Sequence, residues 1–342
     1  MRAAVFHGPH DVRIENVAEP ADPAEGEVVL EVLRAAICGT DASEWDHGPI
    51  LCRPGVVLGH EFVGRVAAVG ADIPDLRVGD RVVSGAGISC GRCAWCLAGR
   101  TNLCVEYRTL GLQVDGGLAE YVTSPASICR LVPEQVDDDA AAMTQPLAVA
   151  LHALSRVALQ RQESVAVVGV GGIGSFIVAG AAHRAPDGRV VAIDLDPQRL
   201  ATASALGAHE AVDASGQDLA QLLLELTGGV GFDVVIEATG APHAPAASLA
   251  GARRGGRVLL VGLHGAPCEL ELTPTILREI DVFTTVAHVC DTDIPAALEL
   301  LAESVVATVT AGPRIPLDEL VAEGLRPIAE RRATGKILVT PR

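Results

Sequence analysis

The chain has 342 residues, 49% of them hydrophobic and only 3% aromatic, with nine cysteines and a formal net charge of −17. That length and apolar content suffice for two domains, each with its own core. The acidic balance, with basic residues in no run longer than a pair, excludes a polyanion-binding surface, so no nucleic-acid partner is expected.

No run of 18 apolar residues occurs, and the opening "MRAAVFHGPHDVRIENV" turns polar early. These features predict neither a membrane span nor an export leader, and hence a cytoplasmic protein. An odd number of cysteines in a reducing compartment reads as metal ligands or buried thiols rather than disulfides. Scarce aromatics leave few stacking platforms and suit a small polar substrate.

From Met1 to about Pro133, short β-rich runs ("EVVLEVL", "FVGRVAAVG", "DRVVSG", "AEYVTSP") alternate with glycine and proline turns. The pattern predicts an antiparallel, strand-rich domain. Within it, "AAICGTD" and "LGHEFVG" place Cys38 and His60 twenty-two positions apart. A thiolate from Cys38, an imidazole from His60 and a carboxylate from Glu61 or a later residue could form an open zinc site, with a fourth place for water or an alcohol oxygen. Further on, "CGRCAWCLAGRTNLC" carries Cys90, Cys93, Cys96 and Cys104. Four thiolates close a tetrahedral shell around zinc and leave no place for substrate, so this site is structural. An iron–sulfur cluster fits less well, because the common bacterial run places its fourth cysteine after three residues and follows it with proline.

From about Pro146 the texture changes. "ALHALSRVAL" reads as helix, "SVAVVGV" as strand, "GSFIVAGAAHRA" as helix, "RVVAIDL" as strand and "PQRLATASALGA" as helix, with the strands "FDVVIEAT" and "RVLLVGL" to follow. Apolar strands alternating with helices predict a parallel sheet covered on both faces. "VAVVGVGGIGS" sets Gly169, Gly171 and Gly174, with Gly172 and Ile173 between them, between a strand and a helix. The glycines permit a tight turn, close approach of a pyrophosphate and close helix packing. Asp194 ends the next strand and can accept hydrogen bonds from a ribose hydroxyl, which favours NAD over NADP; the nearby Arg199 complicates that preference. Past residue 289, "IPAALELLAES" and a last strand, "GKILVTP", return to the first domain. The expected boundaries are 1–146, 147–288 and 289–342.

Taken together, "CGTD", "GHE", the four-cysteine lobe and this dinucleotide motif resemble the zinc-dependent medium-chain dehydrogenases, the alcohol dehydrogenase superfamily, over essentially the whole chain. "GHEFVGRVAAVG", "LRVGDRV", "DGGLAEYV", "QPLAVALHA" and "FDVVIEATG" are most similar to its polyol and diol branch. The resemblance implies an α/β chain: a GroES-like β-rich catalytic domain plus a Rossmann domain with a doubly wound parallel sheet. It implies two zinc ions per subunit, NAD, a small alcohol or polyol substrate, and a homodimer or homotetramer. Cys38 and His60 would bind the catalytic zinc, with Glu61 in or beside its shell. Thr40 would pass the substrate proton towards solvent, and Asp41 would orient His60. The expected reaction is hydride transfer between a secondary alcohol and the nicotinamide. The same features leave open a threonine or aldose dehydrogenase, and a zinc-stabilised dinucleotide-binding protein without catalysis.

Two departures from that branch stand out. Where it usually has Glu-Pro-Leu, this chain has Gln145 in "TQPLAV", so the third zinc ligand is open between Glu61 and Gln145. Where relatives place a histidine after "CGTD", this chain has Ser43 and Glu44, and His47 is a poor substitute. The remaining candidates have plainer readings. His152 is expected to pack at the domain junction rather than bind metal, and Cys52, Cys129 and Cys268 are inert thiols. Trp45 is a pocket wall, and His288, Cys290 and Asp291 either line the substrate pocket or form a strand-edge turn. Lys336 opens the terminal strand as a solvated residue.

Overall fold

The N-terminal residues form a hairpin, β1 (Arg2–Gly8) and β2 (Asp11–Asn16), ahead of the ten-residue strand β3 (Glu27–Ala36). A computed structural model describes all residues, 1–342. It divides the chain into two compact units, Met1–Ala148 with His288–Arg342, and Val149–Ala287.

In the first unit β3 is followed by α1 (Gly39–His47), β4 (Glu61–Val69) and β5 (Arg81–Ser84). A small ladder, β6 (Gly87–Ile88) with β7 (Arg108–Thr109), brackets the short helix α2 (Ala94–Leu97). Strands β8 (Tyr121–Pro125) and β9 (Cys129–Leu131) and helix α3 (Asp138–Ala142) then lead into α4 (Thr144–Arg156). Strand β3 is the spine of the sheet. One edge pairs with β4 along its length, while the other pairs with β8 over Glu27–Glu31. Phe6, Leu30, Ile37, Leu58, Phe62 and Leu118 fill the core beneath it, each burial worth roughly 1.5–3 kcal/mol.

The second unit is an alternation of strands and helices. It runs β10 (Ser164–Val168), α5 (Gly172–Arg184), β11 (Arg189–Asp194), α6 (Pro197–Ala205), β12 (Glu210–Asp213), α7 (Leu219–Glu225) and β13 (Phe232–Glu237). It closes with α8 (Ala244–Gly251), β14 (Ala252–Leu260), α9 (Leu272–Leu277) and β15 (Asp281–Thr284). All pairs are parallel, in the order β12-β11-β10-β13-β14-β15. Strand order reverses between β10 and β13, which is where doubly wound sheets bind ligands at their carboxyl ends. The apolar sequences of β10 and β13, buried on both faces, are what such a position demands.

After α10 (Cys290–Glu303) the chain adds β16 (Ala311–Pro316) and β17 (Lys336–Thr340) to the first unit's sheet. β17 runs antiparallel to β3 but parallel to β16; between Met1 and Pro133 all the strand pairs are antiparallel, as expected.

Candidate active site and metal centres

The open cluster forms where β3 ends. Ala36 lies opposite Glu61 on β4 and opposite Leu338 on β17, and the Ile37 amide donates to the Ile337 carbonyl at 3.0 Å. That register brings Cys38, His60, Glu61 and the start of β17 together. Ligand atoms of Cys38, His60 and Glu61 lie within 4.8 Å of one another.

The "CGTD" stretch is a helix start. Cys38 is the N-cap of α1, and its amide donates to Asp41 Oδ2 at 3.0 Å, half of a capping box. The other carboxylate oxygen lies 3.6 Å from His60 Nδ1. Asp41 and His60 are both buried. Burial pushes the Asp41 carboxyl above its ordinary range, against the pull of His60. For His60, burial opposes the charged form, but Asp41, Cys38 and Glu61 outweigh it and raise the imidazole to about 10. A divalent ion bound here takes the place of that proton.

Glycine packing holds His60 in place. Gly59 has φ +98°, which L-residues rarely adopt, and a Cβ at Gly116 would stand 2.1 Å from the Gly59 carbonyl oxygen. The glycines of "GHE" and "DGGLAEY" are therefore one backbone contact.

The second cluster lies between β6 and β7. The sulfurs of Cys90, Cys93, Cys96 and Cys104 also fall within 4.8 Å of one another. Backbone amides point at them: Cys90 and Glu106 donate to Cys104 Sγ at 3.2 and 3.3 Å. The Cys96 and Val105 amides bring the Cys93 thiol down to about 6, whereas desolvation raises Cys96 to about 11. Four sulfurs with amide support match the donor set of a closed zinc site.

In the second unit, Gly169 has φ +86°, and a Cβ at Gly174 would stand 1.9 Å from the Gly169 carbonyl oxygen. Gly171 caps α5, and at Gly172 a Cβ would meet nothing within 4 Å. The turn thus leaves a cradle at a helix N-terminus, suited to a pyrophosphate. Asp194 ties it down by accepting from the Val170 amide at 2.8 Å, while Leu195 and Asp196 donate to its other oxygen. Arg199 leans over the same turn, 3.9 Å from Asp194 Oδ1.

Residues 24–134 match the family model of the alcohol dehydrogenase GroES-like domain, and residues 172–303 that of the zinc-binding dehydrogenases. The chain is 34% identical over 316 residues to the sorbitol dehydrogenase of Bacillus subtilis (strain 168), covering 90% of this chain and 88% of that one. It is 31% identical over 368 residues to the erythritol/L-threitol dehydrogenase of Mycolicibacterium smegmatis (strain ATCC 700084 / mc(2)155), covering 100% and 98%. The crystal structure of 2R,3R-butanediol dehydrogenase from Bacillus subtilis superposes with a TM-score of 0.90 at 29% identity, over 100% of this chain and 99% of that one. The chain belongs to the zinc-dependent medium-chain dehydrogenases.

As a member of that family it is an NAD(P)-linked alcohol oxidoreductase acting on CH–OH groups. Its fold joins a GroES-like domain to a Rossmann-like one, and no helix is long and apolar enough to cross a membrane.

Several residues of this dehydrogenase sit elsewhere than their local sequence suggests. Lys336 is not solvated: its side chain is 11% exposed and its Nζ donates to Glu61 Oε1 at 2.7 Å. Burial opposes its charge, but Glu61 and Cys38 hold its pKa above the usual lysine range. The one local sign of this role is a lysine leading an otherwise apolar strand. Trp45 packs into the first unit's core with its ring edge-on to His10, so it is a core residue. Glu44, in the segment where a relay histidine was sought, is fully buried and accepts from the Ile50 and Leu51 amides. It anchors a loop instead of moving protons. His47 is exposed beside Asp46.

Thr40 Oγ1 lies 3.6 Å from Cys38 Sγ, at the cluster's edge. Gln145 stands half-buried in the first turn of α4. His152 and His288 are buried. Cys290 Sγ lies 3.4 Å from the Ile128 carbonyl oxygen, and burial lifts its thiol to about 12. Asp291 pairs with Arg130 on the surface. Burial also raises Cys129 to about 11 and lifts Cys52 further, as expected of inert thiols, and Cys268 is half-buried.

Proposed function

We propose that this chain oxidises a small diol or polyol at a secondary alcohol with NAD, using Cys38, His60 and Glu61 to hold a catalytic zinc and Cys90, Cys93, Cys96 and Cys104 to hold a structural one. The observation that carries the reading is the buried cluster of Cys38, His60 and Glu61, backed by Asp41 and Lys336. A thiolate, an imidazole and a carboxylate form a typical open zinc donor set. When bound, zinc supplies Lewis-acid polarisation of the alcohol oxygen, and NAD supplies the hydride acceptor.

The residues of the chain do the rest. Asp41 fixes the ring and tautomer of His60. Lys336 balances the charge of Glu61, so a buried carboxylate is available without being left unpaired. Thr40 accepts the substrate's hydroxyl proton and hands it outward. Gln145 offers a neutral amide as the alternative third donor. Asp194 keeps a free lone pair for a ribose hydroxyl and opposes a 2′-phosphate, which supports NAD over NADP even with Arg199 close by.

Both thiolate sets must stay reduced, which supports a cytoplasmic setting. The exposed Leu272, Ile276 and Leu277 of α9 and Val282 on the edge strand β15 support a homodimer or homotetramer.

The test is elemental analysis of enzyme purified without chelator, followed by assay against C4 to C6 diols and polyols with NAD and NADP. The reading requires about two zinc ions per chain and NAD-linked turnover of at least one polyol. A single zinc with no turnover across the panel would overturn it.

A further inference from the structure

The loop that follows α1 is held by a buried carboxylate. Glu44 is fully buried. Its Oε2 accepts from the Ile50 amide at 2.8 Å and its Oε1 from the Leu51 amide at 2.5 Å. Hydrogen bonds from backbone amides to an ionised carboxylate are stronger than those between neutral groups. The Gly48 amide donates to the Glu44 carbonyl at 2.8 Å, and a Cβ at Gly48 would stand 2.6 Å from Glu44 Oε2. The chain therefore doubles back onto α1 too closely for a side chain at that position.

The far end of the loop is fixed as well. Gln113 Nε2 donates to the Leu51 carbonyl at 2.9 Å, while Gln113 Oε1 accepts from the Thr109 amide at 2.8 Å. Cys52 is buried in the first unit's core, and the Gly55 amide donates to the Phe6 carbonyl at 2.7 Å. Between these anchors Ile50 and Leu51 are 62% and 51% exposed. Two neighbouring aliphatic side chains are thus kept out of the core by the bonds of their own backbone, and they gain from burial only when a ligand covers them.

Their place beside α1 says which ligand. Thr40 and Glu44 stand four residues apart in that helix, on one face and about 6 Å apart along the axis. Thr40 Oγ1 in turn lies 3.6 Å from Cys38 Sγ. The loop is bonded one helical turn from the open cluster, a span of a few carbon–carbon bonds. We infer that Glu44 is a positioning residue that sets Ile50 and Leu51 as an apolar lip of the open site, and that this lip selects a vicinal diol ending in a methyl or alkyl group over one ending in a hydroxymethyl group. A hydroxyl pressed against the lip loses water without gaining a hydrogen bond from either side chain, whereas a methyl gains by burial. The inference rests on the alcohol-oxidising reading of this cluster and narrows its substrate class.

The test compares the stereoisomers of butane-2,3-diol with erythritol and the threitols, on the full-length zinc-loaded enzyme with NAD. All are four-carbon vicinal diols, and the two groups differ in their ends, methyl against hydroxymethyl. The unaltered enzyme should favour its best butanediol isomer about tenfold or more in kcat/KM. Ile50→Ser and Leu51→Ser, at exposed positions that the core does not need, should raise the butanediol KM about tenfold. They should leave kcat, zinc content and the KM for erythritol and threitol unchanged. Glu44→Gln keeps the side chain's size but only one acceptor for the two amides. It should raise the butanediol KM several-fold with kcat retained, a split that a general loss of stability would not produce. Preference of the unaltered enzyme for erythritol or threitol, equal losses for both groups in the serine variants, or no loss for either, would overturn the inference. No turnover of any diol or polyol by the unaltered enzyme would instead remove the alcohol-oxidising reading, and the lip with it.

Discussion

The two cysteine-bearing clusters of the first unit are built on opposite plans. The closed one draws all its ligands from residues 90–104 and sits among exposed side chains, with Leu97 76% exposed and the Arg92–Glu106 ion pair open to solvent. The open one gathers Cys38 from the end of β3, His60 and Glu61 from the start of β4, and Lys336 from β17, all from the interior of the sheet. A site whose coordination shell is complete can be specified by local spacing and a few backbone amides. One that reserves a position for substrate has fewer protein ligands, so sheet register and buried countercharges must hold those it has.

The contrast can be broken or sharpened by substitution. Cys38→Ser should lower turnover by roughly a thousandfold or more and remove one zinc by elemental analysis, with the cysteine-lobe zinc and ADP affinity retained. Loss of both zincs together would mean that the clusters are not independent. Lys336→Met strands the buried Glu61 carboxylate and should cost about 3–5 kcal/mol in urea unfolding. Adding Glu61→Gln should recover most of that loss, and failure to do so would show that the two side chains are not coupled. Asp41→Asn should weaken zinc at the open site about 10- to 100-fold in chelator competition, with no change at the lobe. Arg92→Ala, on the exposed side of the lobe, should shift neither melting temperature nor zinc content measurably. A large effect there would mean that the lobe, too, relies on the charges around it.

The same contrast explains what the sequence discloses. The cysteine lobe and the glycine turn are legible because their constraints are local, a ligand spacing in one case and a positive φ with a close approach in the other. The buried strands β10, β11 and β13 are legible as apolar runs. The edge strands β12 and β15, "EAVD" and "DVFT", are not, because half-exposed ends of a sheet need no such run. Lys336 is hidden for a different reason: the carboxylate that gives it a role lies 275 residues away. The parallel pairing of β16 with β17 is likewise set by the sheet they join and not by their local sequence. Trp45, expected as a pocket wall, packs in the core, because neighbourhood in a motif says which element a side chain is on, not which way it faces.

The position of β17 has a consequence for how the molecule is made. Strand β3 pairs with β8 only as far as Glu31, and its edge near Ala35 and Ala36 is completed by β17. The contiguous unit at 149–287 is therefore fully translated before the surrounding catalytic sheet can close, reversing the usual order in which N-terminal domains finish first. Until residues 336–340 leave the ribosome, Glu61 has no cation to face. Truncation before residue 336 would delete an interior strand and the ionic partner of Glu61 at once, so β17 is needed to complete the catalytic unit's sheet.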